Sequence, residues 1–130
     1  MLGILLIAFG GALGSVLRFG VITLTYKFLD IHFPWGTIFA NLIGCFTIGL
    51  IWAILDTFDE PKNLKLFLIT GLLGGFTTFS SFALENFNMF RAGEIKLVAA
   101  NVLISNIAGI FLVFVGYYLT KFLLRSFKIF

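Results

Sequence analysis

Four stretches of this chain, residues 1–17, 31–55, 66–84 and 97–120, contain no Asp, Glu, Lys or Arg. Each is near or above the roughly 17–25 apolar residues that cross a bilayer as an α-helix. The pattern predicts four spans, with both termini on the same side of the membrane. The first helix covers about residues 2–29, because the apolar pattern resumes after Arg18. It lacks the basic start of a signal peptide and reads as a retained helix. The second begins near Trp35, whose amphipathic ring suits the membrane interface, the third near Leu64, and the fourth covers about residues 97–124. Residues 30–34 and 56–65, the latter with Asp56, Asp59 and Glu60, are solvated turns.

The third stretch is not a plain apolar rod. Its centre reads GGFTTFSSF, residues 74–82, too polar and too glycine-rich for its depth. Gly74 and Gly75 permit backbone conformations that a helix does not use. Thr77, Thr78, Ser80 and Ser81 can cap a restarting helix by accepting from free N–H groups. A break is therefore predicted over residues 75–78. Exposed backbone at mid-membrane survives only where it is buried in protein or lines a cavity, and its free carbonyls can hold a cation. The alternative is a continuous helix whose hydroxyls bond back to the preceding turn.

Polar positions on the other spans repeat at helical spacing. Thr37, Asn41 and Gly44 share a face of the second helix, and Asn101, Ser105 and Gly109 form a stripe on the fourth, with Asn106 beside it. Such a stripe is either a packing seam or one wall of a narrow path, and the amide of Asn41 bonds either a neighbouring helix or a passing solute. Gly10 and Gly14 form a small-xxx-small pair for close helix approach. Arg18 lies inside the apolar region, where a guanidinium must snorkel, meet a carboxylate or face a wet cavity. Glu85 is positioned either to pair with it or to line an entrance. Phe79 and Phe82 fall on one helical face. Their rings serve packing, or present positive edges to an anion without a counter-charge that would trap it.

Composition sharpens the class. The chain is 60% hydrophobic and 12% charged over 130 residues, with a mean hydropathy of +1.09, values outside the range of a soluble domain. An all-α integral membrane protein with one four-helix domain over residues 1–130 is expected. Its nine basic residues are scattered, which argues against nucleic acid as a partner. With the termini and the 56–65 turn on one side, that side carries Lys62, Lys65, Lys121, Arg125 and Lys128, against Lys27, Arg91 and Lys96 on the other. This weak bias leaves insertion in both directions open. Tyr117 and Tyr118 mark the far interface. One histidine, His32, and one cysteine, Cys45, compose no metal cluster and no nucleophile–base pair, so no enzyme is expected.

Taken together, GGALGSVLRF (residues 10–19), GTIFANLIG (36–44) and GGFTTFSSF followed by Glu85 resemble the small bacterial fluoride channels, the Fluc or CrcB family. Length, four spans and motif order agree along essentially the whole chain. The resemblance implies an antiparallel, dual-topology homodimer with two pores, exporting cytoplasmic fluoride passively across the bacterial inner membrane. It implies that Asn41, Phe79, Phe82 and Ser105 line the fluoride pore. Arg18, Thr37, Ser81, Glu85 and Asn101 are expected as vestibule or polar support. The backbone carbonyls of Gly74 and Thr77 from both subunits would hold a structural sodium ion on the dimer axis. The sequence departs from the family pattern at Asn101, where a tyrosine is frequent, at Gly109, where a hydroxyl occurs, and at Ser81, where threonine is more usual.

The rival from another class is a proton-coupled multidrug transporter of the small four-helix type. That chemistry needs a membrane-embedded carboxylate, for which Glu85, near the end of its span, is the intramembrane candidate. A third reading makes Asn41, Ser105 and Asn101 mere glue in a non-transporting subunit.

Overall fold

The computed structural model describes residues 1–58 and 60–127; Asp59 of the 56–65 turn and the expected anchor Lys128 lie outside the described residues. Helix α1 is Leu2–Thr25, α2 is Trp35–Thr57, α3 covers residues 62–76, α4 is Phe79–Arg91, and α5 is Ile95–Ser126. The four predicted spans are present, with α3 and α4 together forming the third, Lys62–Arg91. The first is shorter than expected, since the chain turns after Thr25.

Two helices contain wide, π-wound turns that no sequence feature announced: Leu66–Leu73 within α3 and Ile104–Ala108 within α5. Such turns displace the side-chain register of everything that follows and recur at functional sites. The turn between α4 and α5 is conventional. Gly93 adopts φ +78°, Glu94 N–H donates to the Met89 carbonyl and Gly93 N–H to that of Phe90. This is the double bond of a glycine-terminated helix, and it needs the left-handed backbone that glycine adopts freely.

Glycine seams set the packing. A Cβ on Gly14 would collide with the Leu72 carbonyl, and one on Gly10 would lie 2.7 Å from that of Phe67, so α1 lies directly on the π-wound part of α3. Gly49 and Gly116 do the same between α2 and the later part of α5, facing the carbonyls of Val113 and Phe46. With no hydrophobic drive between helices in lipid, close backbone approach is what association requires. Lys121 Nζ bridges Asp56 Oδ2 at 3.3 Å and Thr57 Oγ1 at 2.8 Å, while Tyr117 also donates to Asp56. The end of α5 thus closes beside the end of α2, as an up-down-up-down order demands. Outside the seams, large side chains such as Phe9, Phe19, Phe114 and Phe122 are exposed, an apolar surface suited to lipid. Helix α4 is held more sparsely, by the start of α5 and by α2.

Candidate functional site

The break lies at Thr77 (φ −86°, ψ 158°) and Thr78 (φ −150°, ψ 118°), both extended. This falls within the predicted window but corrects its cause. Gly74 and Gly75 are helical. Their absent side chains serve proximity instead, since a Cβ on Gly75 would collide with the backbone of Gly11. The helix restarts at Phe79 under Thr78, whose Oγ1 accepts from Ser81 N–H at 3.2 Å. The Ser81 hydroxyl is turned toward the same cap, 3.1 Å from Thr78 Oγ1. Its support is therefore to the helix restart.

Extended backbone frees groups that must be paired elsewhere. Asn41 on α2 supplies both halves of one partner: its Oδ1 accepts from Thr78 N–H at 2.8 Å, and its Nδ2 donates to the Thr78 carbonyl at 3.0 Å. The Thr77 carbonyl accepts from Arg18 Nη1 at 3.2 Å and the Gly75 carbonyl from Ser15 Oγ at 3.5 Å. The N–H of Thr78 would ordinarily close the turn onto the Gly74 carbonyl, so that oxygen loses its helical donor.

A cleft of about 360 Å³ opens at this break. Asn41, Gly44 and Cys45 form one wall, Leu73, Gly74, Thr77 and Thr78 another, Phe79 and Phe82 a third, and Ser105 with Asn106 the fourth. The four residues expected to line a pore, and the two expected to offer carbonyls, thus meet in one place. No charged side chain lines the cleft among the described residues. The two rings lie 5.5 Å apart, centroid to centroid, at 42°. Phe82 is 9% exposed and Phe79 is 77% exposed, so one ring is fixed in the protomer and the other stands at its surface. Ser105 sits in the π-wound turn of α5 and donates to Asn101 Oδ1 at 3.1 Å. Asn101 is fully buried behind the cleft wall.

Arg18 and Glu85 do not pair. Arg18 serves the break, whereas Glu85 accepts from Thr37 Oγ1 at 2.5 Å and lines a separate pocket of about 180 Å³ with Tyr26, His32 and Asn88. That pocket shares none of its lining with the cleft, and its His32 lies in the turn between α1 and α2. Sequence reasoning did not single out Ser15 as a partner of the break. Its signal was available, since it stands three residues before Arg18 and therefore on the same helical face. Cys45 is a half-buried wall of the cleft.

Four apolar spans with an uncharged cleft at the break in the third define a small multi-pass membrane protein. Residues 5–117 match the family described as CrcB-like protein, camphor resistance, and the chain belongs to that family. It is 45% identical over 128 residues to the fluoride-specific ion channel FluC of Parabacteroides distasonis, covering 98% of this chain and 100% of that one. It is 42% identical over 124 residues to the protein of the same name from Salinibacter ruber, with 95% and 93% covered. The FluC of Aquifex aeolicus is 45% identical over 114 residues, with 87% and 92% covered.

Proposed function

We propose that this chain is a fluoride-selective channel subunit that lets cytoplasmic fluoride leave passively across the bacterial plasma membrane. The observation that carries this reading is the uncharged cleft in which Asn41, Ser105 and the rings of Phe79 and Phe82 converge. A strongly hydrated small anion has to exchange water for a series of modest donors and ring edges, so that it enters and still leaves. A fixed cationic side chain in the cleft would hold it too long.

Two copies in opposite orientations form the working unit in this proposal. The 77% exposure of Phe79, a cleft-lining ring, supports it, as does the weak charge bias between the two sides. An antiparallel pair related by a twofold axis sets like surfaces against each other and brings the two breaks together at the midplane. The Gly74 carbonyl, without its helical donor, and the Thr77 carbonyl, with a lone pair beyond the one Arg18 uses, are hard oxygen ligands suited to a sodium ion shared with the second copy.

The test is purified protein in liposomes loaded with fluoride or with chloride. Fluoride efflux without chloride efflux is expected. Equal efflux of both, or of neither, overturns the proposal. Proton-driven uptake of an organic cation would instead favour the transporter reading, which membership of this family does not support.

A further inference from the structure

A small anion in the cleft needs hydrogen-bond donors, and most of those on its walls are already engaged. The Thr77 hydroxyl donates to the Leu73 carbonyl at 3.0 Å, that of Thr78 to Ser81 Oγ at 3.1 Å, and Ser105 Oγ is paired with Asn101 Oδ1 at 3.1 Å. What the walls have to spare is amide N–H. Asn41 Nδ2 donates to the Thr78 carbonyl at 3.0 Å, and Asn106 Nδ2 donates to the Val102 carbonyl at 2.7 Å. A backbone carbonyl only accepts, so each contact fixes which end of the amide is nitrogen. Each nitrogen keeps a second proton with no protein partner among the described residues.

Asn106 is the less expected of the two. The polar stripe of α5 pairs Ser105 with Asn101 and Gly109, yet neither of those reaches the cleft. Asn101 is fully buried, and Gly109 is buried where a Cβ would lie 3.4 Å from Cys45 Sγ. From α5, the cleft is lined among the described residues by Ser105 and Asn106. Both stand in the π-wound turn Ile104–Ala108. A wider turn holds more residues per revolution, so successive side chains diverge less and two neighbours can share one wall. Asn106 is also exposed on the protomer, near the middle of the charge-free residues 97–120. Lipid offers an amide no partner there, and an unpaired amide in hydrocarbon is costly. Its place on the cleft wall gives that amide something other than lipid to face.

The geometry points to Asn106 as an anion-contacting residue of the path, a second amide donor besides Asn41, whose spare N–H meets the passing fluoride. The inference rests on the fluoride-channel reading and adds to it a contact outside the motifs that carry the family resemblance. A neutral amide suits the task, because it gives a donor without a charge that would hold the ion. With its other proton tied to the Val102 carbonyl, the donor is oriented before the ion arrives.

The experiment compares wild-type protein, Asn106→Ser and Asn106→Leu by fluoride efflux from liposomes, by melting temperature and by the fraction running as a dimer. A serine hydroxyl can bond back to the carbonyl one turn earlier. Asn106→Ser therefore keeps the Val102 contact and gives up the spare donor, whereas Asn106→Leu gives up both. Efflux roughly tenfold slower is expected in each, the worth of about one hydrogen bond to a charged group, with Asn106→Ser melting and assembling like wild type. An Asn106→Ser protein that conducts like wild type overturns the inference and leaves the channel reading intact. Efflux that falls in step with the dimer fraction does the same, since Asn106 is then glue between copies. Wild-type protein that passes no fluoride overturns both. If Asn106→Ser is destabilised, the wild type decides, through the two side-chain amide protons of Asn106 in asparagine-labelled protein. The proton not held by Val102 is expected to shift with fluoride and to stay still with chloride; no shift with fluoride, or the same shift with either anion, overturns the inference.

Discussion

Asn41 and Thr78 hold each other twice, Thr78 N–H to Asn41 Oδ1 at 2.8 Å and Asn41 Nδ2 to the Thr78 carbonyl at 3.0 Å. One side chain thus replaces the neighbouring strand that an extended residue would otherwise need. This gives Asn41 a structural task besides facing the cleft, and the two tasks separate by measurement. Asn41→Ala leaves two backbone groups unpaired, at about 1–3 kcal/mol each. A clear fall in the melting temperature of detergent-purified protein is expected, together with loss of fluoride flux. Loss of flux at unchanged melting temperature would mean that the break does not depend on this pair.

The two rings are expected to part company under substitution. Phe82 is 9% exposed and Phe79 77% exposed. Phe82→Ile should therefore lower both stability and flux, whereas Phe79→Ile should cut flux severely with little effect on protomer folding. Melting curves alongside liposome efflux check both halves. A Phe79→Ile protein with wild-type flux would remove that ring from the path.

Seam glycines should tolerate nothing larger. Gly75→Ala drives a methyl group into the backbone of Gly11, and Gly14→Ala drives one into the Leu72 carbonyl. Neither neighbour is a side chain that can move aside, so greatly reduced yield of folded protein is expected. Gly20→Ala is the control, because a Cβ there meets nothing within 4 Å; in a helix it is expected to be neutral or to stabilise by roughly 0.5–1 kcal/mol. Gel-filtration yield after extraction distinguishes the three.

Arg18→Gln tests whether the guanidinium holds the break. Its bond to the Thr77 carbonyl is charge-assisted, a class worth about 1.5–3 kcal/mol. Gln keeps an N–H donor on a shorter stem and without charge, so partial loss of thermal stability is expected, with fluoride flux reduced. The companion change Glu85→Gln should leave the break's stability alone, because Glu85 bonds to Thr37 and not to Arg18. Equal destabilisation by the two would argue for an Arg18–Glu85 coupling that the geometry does not contain.

Much of this protein was legible one residue at a time. Four charge-free stretches give four spans because uncompensated charge and unpaired backbone are both excluded from lipid. The crowding of hydroxyls in GGFTTFSSF marks the break for the same reason, and the start of α2 at Trp35 follows from an interfacial ring after a proline. Family membership also follows from sequence alone. Other features depend on what lies opposite in space, and sequence spacing carries no such information. Whether Gly75 bends the chain or admits a neighbour was decided by the Gly11 backbone beside it. Whether Arg18 meets a carboxylate or a carbonyl was decided by where α1 lies on the break. Sequence determined which segments enter the membrane and where polar groups have to be satisfied. Tertiary structure alone decided which group satisfies which, because hydrogen bonding is a property of pairs and the pairs here join different helices.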